Sequence, residues 1–497
     1  MNKKLLIEQN LHQTRVAVLE DDTLTELFVE RSRERGLVGN VYKGRVTRVL
    51  PGMEAAFVNI GLERDAFLYA GDVAGSGSAE DAEELDLEEL QPAEAETPSI
   101  DQLLRQGQEL VVQVLKDPLP NKGARITTHV TLPGRYLVYL PTTRHFAVSR
   151  RIEEEEERQR LLDLIQEMAP ATGGLIVRTV SEGEGRQEFE RDLAYLEKLW
   201  QGLRRRASSQ GAPALLHRDL DLALRTMRDA FSSDFSAAWV EGQQTYENIR
   251  EFLDSVQPSL VPKVRLYQQE EPLFQRHQID EEMEAALRSK VWLKSGGYIV
   301  IHPTEALVAI DVNTGRFVGE HDFEDTVLQT NLEAIREVVR QIRLRDLGGI
   351  IVLDLIDMLE QKHRDLVFSA LEQELRKDRA KNKVLAISEF GLVELTRKRS
   401  RTNLERLLTQ PCPYCRGRGR IKSVTTICLQ LRQELLQRAG RPRAGNEIVL
   451  RVHPEVARAL QQEERPILDE LELALGAPVV LQSEPSLHHE QFEVLRT

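Results

Sequence analysis

Residues 306–358 read ALVAIDVNTGRFVGEHDFEDTVLQTNLEAIREVVRQIRLRDLGGIIVLDLIDM, and this stretch indicates the fold class more directly than any other part of the chain. It opens with one apolar run, ALVAIDV, and closes with another, IIVLDLIDM, and both are typical of buried strands. The segment between them has an apolar stripe at helical spacing, formed by Leu328, Leu332, Ile335, Val339 and Ile342. A strand, a helix and a second strand in succession predict two parallel, adjacent strands in an α/β sheet.

One aspartate lies near the end of each predicted strand, Asp311 on the first and Asp354 on the second. Ligands of open α/β sheets bind beyond the carboxyl ends of the strands, so this topology predicts a site that contains both carboxylates. Two facing carboxylates repel each other unless a cation lies between them or one is protonated, and hard oxygen ligands suit Mg²⁺. Asn313 can donate a hydrogen bond that orients Asp311 or a bound phosphate.

The simpler interpretation is that each aspartate caps a turn at the end of its strand. For either residue alone we would prefer that interpretation, but two aspartates at the ends of adjacent strands favour a functional site. Asp357, three residues after Asp354, is expected to point to the opposite face and to be structural.

The composition is that of an ordinary globular protein, with 41% hydrophobic and 29% charged residues, and 497 residues are too many for one core. Several domains are therefore predicted. Three cysteines argue against a disulfide framework and for a reducing compartment. The N-terminal residues lack a sustained apolar stretch, and no apolar run approaches the roughly 18 residues of a spanning helix. We expect a soluble, cytoplasmic protein.

The formal net charge of −14 would argue against a nucleic-acid partner, but the charge is unevenly distributed. Residues 72–101 carry 11 acidic and no basic side chains, and their composition predicts a flexible insertion, a solvated linker rather than a decoy for nucleic acid. Residues 376–422 carry 14 Lys or Arg and 4 Asp or Glu. Because a phosphate backbone responds to the local field, this basic region can contact nucleic acid.

Short β-like segments flank the acidic insertion, with NVYKGRVTRVL, EAAFVNIG and RDAFLYAGDV before it and QELVVQVLKD after it. Several short strands with turn signals predict a small barrel. Further along the chain, EEEEERQRLLDLIQEM and residues 187–206 predict helices, and GGYIVIHPTEALVAIDVNTG predicts a β-hairpin. NEIVLRVHP and APVVLQS predict a pair of strands near the C-terminus.

The stretch QPCPYCRGRGR, residues 410–420, contains two of the three cysteines, Cys412 and Cys415. Cys-x-x-Cys followed by glycines is typical of a zinc knuckle, in which the glycines let backbone amides face the sulfurs. The alternative is the redox motif of glutaredoxins, which belongs between a strand and a helix near the start of a small domain. Its position here, behind a long helical stretch, favours zinc.

The knuckle offers only two of the four thiolates of a closed zinc site. The third cysteine, Cys428, lies in the predicted amphipathic helix TTICLQLRQELL and is expected to be buried. A second copy of the chain, related by a two-fold axis, would complete the site, so that the zinc joins a homodimer.

Four segments carry a resemblance to a known family: DVNTGRF, NLEAIREVVRQIRLRDLGGIIVLDLIDM, EFGLVELTRKR and CPYCRGRG. Through them the chain resembles the bacterial ribonuclease E/G family, from its first strand to at least Lys422. The resemblance implies a Mg²⁺-dependent endoribonuclease that cuts single-stranded RNA in rRNA and tRNA maturation and mRNA decay. Asp311 and Asp354 would hold the Mg²⁺ that activates water for in-line attack, leaving a 5′-phosphate and a 3′-hydroxyl, and Asn313 would orient Asp311.

The resemblance also implies a multidomain α/β architecture. Its parts would be an RNase H-like subdomain (1–36 plus 225–287), an S1 (OB-type) β-barrel (37–128) with the flexible insertion 72–101, a 5′-sensor region (129–224), a DNase I-like catalytic subdomain (288–407), a zinc knuckle (408–421) and a small C-terminal α+β domain (422–497). The zinc of the family is shared between protomers, which implies a homodimer or a tetramer built of dimers.

The resemblance assigns RNA contacts to several further residues. Phe57 and Phe67 would stack on unpaired bases, although core packing in the barrel is the alternative, and Lys122 would contact RNA. Arg178 and Thr179 would bind a 5′-monophosphate, and a surface ion pair is the alternative for Arg178. Lys381 lies where the family has an arginine, and a lysine keeps the charge but loses the bidentate fork. The acidic insertion departs from the family pattern, and because it lies in the barrel we hypothesise that it weakens or gates RNA entry.

Two other classes of function compete with the enzyme. A non-catalytic S1-type RNA-binding protein would need only the barrel and the basic stretch, and the intact trio Asp311, Asn313 and Asp354 argues against it. A thiol oxidoreductase would need a reactive Cys412 and none of the carboxylates.

Overall fold

The computed structural model describes residues 2–73, 98–119, 122–315, 323–388, 390–399, 401–438 and 448–496. Most of the predicted flexible insertion 72–101 lies outside these residues, because the description stops at Val73 and resumes at residue 98. The chain divides into two compact units, Met1–Glu405 and Arg406–Thr497. Among the described residues, every helix is too short or too polar to cross a membrane.

The described strands, in chain order, are β1 (Lys3–Gln9), β2 (Gln13–Glu20), β3 (Thr23–Arg31), β4 (Val41–Leu50), β5 (Ala55–Asn59), β6 (Ala66–Tyr69), β7 (Glu109–Lys116), β8 (Arg125–Thr127), β9 (Leu132–Pro133), β10 (Leu137–Leu140), β11 (Phe146–Val148), β12 (Gly174–Val177), β13 (Ala214–His217), β14 (Phe235–Glu241), β15 (Val264–Tyr267), β16 (Lys290–Trp292), β17 (Tyr298–Pro303), β18 (Leu307–Asn313), β19 (Gly349–Asp354), β20 (Asn382–Val384), β21 (Leu392–Arg397), β22 (Ile448–Val452), β23 (Val479–Ser483) and β24 (Phe492–Arg496).

The described α-helices are α1 (Ile100–Leu103), α2 (Glu155–Glu167), α3 (Arg186–Ser209), α4 (Leu222–Asp229), α5 (Gln243–Val256), α6 (Leu273–Arg276), α7 (Ile279–Ala285), α8 (Phe323–Leu344), α9 (Gln361–Leu375), α10 (Leu404–Leu408), α11 (Val424–Arg438), α12 (Pro454–Gln461) and α13 (Arg465–Leu475). Both helices predicted between residues 153 and 206 are confirmed as α2 and α3.

The stretch 306–358 forms the centre of a six-stranded sheet with the order β16-β17-β18-β19-β21-β20. Strands β18 and β19 are parallel and adjacent, and α8 lies between them in sequence, so the predicted strand–helix–strand unit is confirmed. The predicted hairpin is confirmed as the antiparallel pair β17 and β18. Of the predicted apolar stripe on α8, Ile335, Val339 and Ile342 are buried, while Leu328 and Leu332 pack partly buried against the same core.

This sheet buries one face only. Alternate residues of its strands, such as Ile310, Leu353 and Val393, are buried in one core with residues of α8 and α9. The residues between them point to the other side and are exposed in the single chain: Ala309, Asp311, Ile350, Asp354, Glu394 and Thr396. We call this second side the open face of the sheet, because successive strand residues alternate between the two sides.

The predicted small barrel is confirmed as five strands in the order β4-β5-β6-β8-β7. It closes on the long strand β4, whose residues Val41–Arg45 pair with β7 and whose residues Arg45–Leu50 pair with β5. Small or branched residues fill the interior, among them Val46, Ala56, Val58, Leu68, Val112 and Ile126. A Cβ on Gly44 would come within 2.6 Å of Val58 Cγ1, so the glycine in β4 permits this close packing.

Two more sheets complete the first unit. One has the order β15-β14-β1-β2-β3, with parallel pairs β1–β14 and β14–β15 and antiparallel pairs β1–β2 and β2–β3. The other has the order β11-β12-β10-β9. Asp192 on α3 is fully buried and accepts hydrogen bonds from the backbone amides of Arg135, Tyr136 and Leu137, which ties α3 to the start of β10.

The second unit contains a three-stranded sheet with the order β23-β22-β24, packed against α11, α12 and α13. The predicted strand pair is confirmed as β22 and β23, which are parallel. Cys428 on α11 is 0% exposed within this core, and burial raises the pKa of its thiol to about 11. Its predicted burial is therefore confirmed.

Candidate active site and RNA-binding surface

Asp311 and Asp354 are register partners at the ends of β18 and β19, and both are exposed on the open face. The Asn313 amide donates a hydrogen bond of 2.8 Å to Asp311 Oδ2. Asn313 and Asp311 are two residues apart on one strand, so their side chains share a face. The structure therefore brings together the three residues of the predicted trio.

The Asp354 carboxyl has a raised pKa. Partial burial contributes most to the increase, and the negative charges of Asp311 and then Asp357 add to it. The pair is thus held with its charges in mutual repulsion, and a bound cation would relieve this repulsion. Because the ligand atoms are carboxylate oxygens, the arrangement fits a hard cation such as Mg²⁺.

Asp357 lies beyond the end of β19, so strand alternation does not decide where its side chain points. Its charge adds to the raised pKa of Asp354, and its expected structural role stays a prediction. Asp311 and Asp354 belong to the last residues of their strands and project from the open face.

Asn331 supports this region and was not singled out from the sequence. It is 0% exposed on α8; its amide donates to the Ile356 carbonyl at 2.9 Å, and its oxygen accepts from the Ile356 amide at 3.1 Å. These two bonds fix the backbone just after Asp354 to the helix. The sequence does carry a signal for Asn331, because it is a polar residue inside the apolar stripe of a buried helix. Burying an unpaired amide there would cost free energy, so a hydrogen-bond partner is expected.

The predicted base-stacking residues Phe57 and Phe67 are register partners on β5 and β6, with ring centroids 5.5 Å apart. Both are only half-buried, whereas their neighbours Ala56, Val58 and Leu68 fill the barrel interior. They therefore lie on the outer surface, and the alternative of core packing is wrong.

Two residues that sequence reasoning missed extend this aromatic surface. The ring of Tyr69 lies 4.5 Å from that of Phe67, and the Arg125 guanidinium lies 4.9 Å from the Tyr69 ring centroid. Arg125 also pairs with Asp72 at 3.0 Å. Lys122, the third predicted RNA contact, is exposed, and its backbone bridges to Leu119.

Arg178 and Thr179 directly follow β12. Arg178 Nη1 donates to the Gly134 carbonyl at 2.6 Å and pairs with Asp229 at 2.9 Å. Burial works to raise the Asp229 pKa, but the charges and hydrogen bonds of Arg228 and Arg178 outweigh it and lower that pKa to about 2. Thr179 Oγ1 lies 2.9 Å from Ser149 Oγ.

The segment that carries Lys381 lies beside this predicted 5′-sensor. Arg151 Nη1 donates to the Arg379 carbonyl at 3.2 Å, which joins the turn after β11 to the residues before β20. Lys381 is exposed, and its carbonyl accepts from the Lys398 amide. The structure therefore brings the backbone near Lys381 close to the turn that contacts Thr179.

Cys412 is exposed and Cys415 is partly exposed in a turn before α11. The Gly419 amide donates to Cys415 Sγ at 3.3 Å, and Arg416, Gly417 and Gly419 have positive φ angles. The backbone amides of Cys415 and Tyr414, with the Cys415 thiol, hold the pKa of Cys412 below its ordinary value. Amide donors and a stabilised thiolate fit zinc.

Among the residues that the structure describes, no His, Asp or Glu joins the two cysteines to make three ligands for one ion. A separate set of three exists in the same unit: one ligand atom each from His453, Glu455 and His489 lies within 4.8 Å of the others. His489 Nε2 is 3.0 Å from Glu455, so these two side chains already satisfy each other without an ion.

Comparisons with known proteins cover the whole chain. A profile described as "Ribonuclease E/G family" matches residues 131–400, and one described as "RNase E/G, Thioredoxin-like domain" matches residues 411–497. "Ribonuclease G" of Escherichia coli (strain K12) is 43% identical over 495 residues, 100% of each chain. "Ribonuclease G" of Haemophilus influenzae is 40% identical over 99% of each chain. "Ribonuclease E" of Escherichia coli (strain K12) is 34% identical over 100% of this chain and 46% of that protein.

Proposed function

Because the chain belongs to the ribonuclease E/G family and is an endoribonuclease of RNA processing, we propose that it cuts single-stranded RNA at Asp311 and Asp354. The observation that carries this assignment is the pairing of the two carboxylates on adjacent parallel strands, with Asn313 bonded to Asp311. Family membership also favours the enzyme over the alternative of a non-catalytic RNA-binding protein.

Asp311 and Asp354 would hold Mg²⁺ through carboxylate oxygens. Bound there, the ion would supply an activated water for in-line attack and neutralise charge on the phosphate oxygens, so that the products carry a 5′-phosphate and a 3′-hydroxyl. Asn313 keeps Asp311 in one orientation, and Asn331 fixes the backbone after Asp354. Both residues reduce the reorganisation that metal and substrate binding would otherwise require.

The barrel would bind the single-stranded RNA before it is cleaved. The half-buried rings of Phe57 and Phe67 suit stacking on unpaired bases of any sequence, and Lys122 adds a cation for the backbone. The S1 assignment of residues 37–128 is supported by the closed five-stranded barrel. The RNase H-like (1–36 plus 225–287) and DNase I-like (288–407) assignments remain our proposals.

A 5′-monophosphate would bind at Arg178, Thr179 and Lys381. This proposal is supported by the hydrogen bond that joins the Arg151 turn to the Arg379 backbone. The guanidinium of Arg178 is partly engaged by Asp229 and Gly134, so it is pre-oriented for a phosphate rather than free to rotate. A preference for 5′-monophosphorylated RNA is the expected consequence.

Zinc would join two copies of the chain through Cys412 and Cys415 of each. The amide-to-sulfur bond of Gly419 supports a knuckle, and the described residues before Cys412 form a helix rather than the strand that precedes a redox motif. We place the resulting homodimer, or a tetramer of dimers, in the cytoplasm, where thiols stay reduced and where rRNA and tRNA maturation and mRNA decay occur.

The decisive experiment is cleavage of a short A/U-rich single-stranded RNA with a 5′-monophosphate. Wild type, Asp354→Asn and a control, Asp365→Asn on the exposed side of α9, would be compared with Mg²⁺ and with EDTA. We expect Mg²⁺-dependent cleavage by wild type and control and a loss of about 100-fold or more in Asp354→Asn. Equal cleavage by Asp354→Asn would refute the site assignment.

A further inference from the structure

A row of side chains continues sideways from the carboxylate pair to the edge of the sheet. Asn313 on β18 pairs in register with Tyr298 on β17, and Tyr298 pairs with Trp292 on β16. Directly opposed residues of adjacent strands place their side chains on the same face. Trp292 and Tyr298 therefore lie on the open face, with Trp292 about 10 Å, or two strand spacings, from Asn313.

A second row runs parallel to the first. Lys290 on β16 pairs with Val300 on β17, which pairs with Asp311, which pairs with Asp354. A cation thus stands in the same row as the two carboxylates, two strands away. RNA phosphates beside the acidic pair would meet this positive charge on the open face.

Trp292 is 62% exposed, an unusual degree for the largest apolar side chain. Its ring centroid lies 5.3 Å from that of Tyr298 at an edge-on angle of 63°. Lys290 Nζ lies 4.1 Å from the Trp292 centroid and 3.5 Å from the Tyr298 centroid. The indole is therefore held in place from one side by a ring and a cation while much of its surface meets solvent.

We propose that Trp292, supported by Tyr298 and Lys290, is a stacking site for one unpaired nucleobase adjacent to the scissile phosphate. The proposal rests on the function assigned above, since the carboxylates fix where that phosphate lies. Stacking on an exposed aromatic ring binds bases of any sequence, and the ammonium next to it favours the polyanion. This subsite is distinct from the barrel aromatics, which lie on another sheet.

The occupant is a base rather than an apolar protein surface, because the site combines one aromatic ring with a cation instead of a contiguous apolar patch. Apart from Tyr298 and Val300, the other residues of the two rows are polar or charged: Lys290, Asn313, Asp311 and Asp354. Such a row is expected beside a phosphodiester backbone, whereas a protein interface core is depleted in charge.

The test is a kinetic comparison of Trp292→Ala, Trp292→Phe and a control, Leu11→Ala, which removes another exposed apolar side chain. The substrate would be one single-stranded RNA with a single cleavage site, together with a series in which one nucleotide at a time is abasic. We expect Trp292→Ala to raise KM about tenfold with kcat at saturation within about twofold. Trp292→Phe should retain most of the affinity, and Leu11→Ala should match wild type.

The abasic series locates the stacked base. Wild type should lose affinity when one nucleotide next to the cut is abasic, and Trp292→Ala should be insensitive to that change, as expected when two partners of one contact are removed in turn. RNA titration of the uncleaving Asp354→Asn variant gives an independent readout, because base stacking should quench its tryptophan emission, and the quenching should disappear in Asp354→Asn combined with Trp292→Phe.

The possible failures can be told apart. If Asp354→Asn abolishes cleavage while Trp292→Ala leaves KM and the abasic pattern unchanged, the stacking site is refuted and the proposed function stands. If Asp354→Asn cuts normally, the proposed function fails, and the stacking role of Trp292 is then decided by the KM of Trp292→Ala and the abasic series alone. A changed oligomeric state in Trp292→Ala, with no position-specific effect of abasic RNA, would overturn the inference in favour of a contact between copies of the chain.

Discussion

Asp311 and Asp354 lie directly opposite each other on two parallel strands, although α8 and the residues on either side of it separate them in the chain. Parallel pairing makes this possible, because a crossover helix returns the second strand in the same direction and brings both carboxyl ends to one edge. The two charges are held by strand backbones rather than by flexible loops, so the protein cannot relax them apart without disturbing the sheet.

We expect Asp354→Asn to separate stability from activity. The folded state raises the Asp354 pKa, so it favours the neutral carboxyl over the ionised one. At neutral pH, where the carboxyl is ionised, Asp354 therefore lowers the free energy of unfolding. Asparagine stays neutral, and the melting temperature at pH 7 without Mg²⁺ should rise by about 1–2 °C while cleavage is lost. A lower melting temperature than that of Asp365→Asn would contradict the proposed repulsion.

Asn331→Ala should weaken both the fold and the site. The substitution leaves the Ile356 amide and carbonyl without their partners, which should lower the free energy of unfolding by about 2–3 kcal/mol. We also expect kcat to fall more than KM changes, because the backbone after Asp354 loses its support. The control is Asn248→Ala, which removes an exposed amide on α5; if both variants lose equal stability in urea titrations, the role of Asn331 is refuted.

Asp229→Asn should reveal a pH-dependent ion pair. The Asp229 pKa is lowered to about 2 in the folded chain. The ionised Asp229 therefore stabilises the fold fully at pH values above its pKa in the unfolded chain, and this stabilisation is lost as the pH falls through about 2. Because the Asp229 side chain is 33% exposed, we expect Asp229→Asn to lower the free energy of unfolding by only about 1 kcal/mol at pH 7. The stability difference from wild type should shrink below pH 4; a constant difference down to pH 2 would exclude the ion pair as its cause.

Arg178→Ala should reduce discrimination between RNA ends. The ratio of kcat/KM for 5′-monophosphorylated over 5′-hydroxyl RNA should fall about tenfold, because a charge-assisted contact to the phosphate is removed. Cleavage of the 5′-hydroxyl substrate should stay within about twofold of wild type. Arg186→Ala, which removes an exposed arginine on α3, is the control, and an unchanged ratio in Arg178→Ala would place the 5′-phosphate elsewhere.

Cys412→Ser should remove bound zinc and separate the dimer. The expected zinc content falls from about one ion per two chains to none, since serine does not supply the thiolate ligand. Elemental analysis and light scattering measure both quantities. Cys428→Ala should retain zinc, because that thiol is buried in the core of the second unit. A zinc-loaded dimer of Cys412→Ser, together with disulfide reduction by the wild type, would support the thiol oxidoreductase instead.

The fold of the six-stranded sheet that contains β18 and β19 could be predicted because its signals are local. The apolar runs of β18 and β19 and the stripe on α8 each lie within one element, and the topology follows from their order. Whether Phe57 and Phe67 face the barrel interior could not be decided from alternation, since both faces of the strand carry apolar residues. The structure answers this by placing Ala56 and Leu68 inside.

Other features depend on partners that are distant in sequence and carry no local signal. The ion pair of Arg178 with Asp229 joins β12 to the end of α4, and the contact of Asn331 joins α8 to the residues after β19. The orientation expected for Asp357 stays a prediction, because strand alternation does not extend past the last residue of β19.

The one-sided burial of the six-stranded sheet separates two kinds of evolutionary change. Along β18, β19 and β21, every second residue belongs to the core with α8 and α9, and every other residue faces outward. If the open face binds RNA as proposed, substitutions in the outward set can alter which nucleotides are preferred without creating a cavity, because cavities arise only from the inward set. A lineage could therefore retune its substrate range from this surface while the scaffold beneath it stays constant.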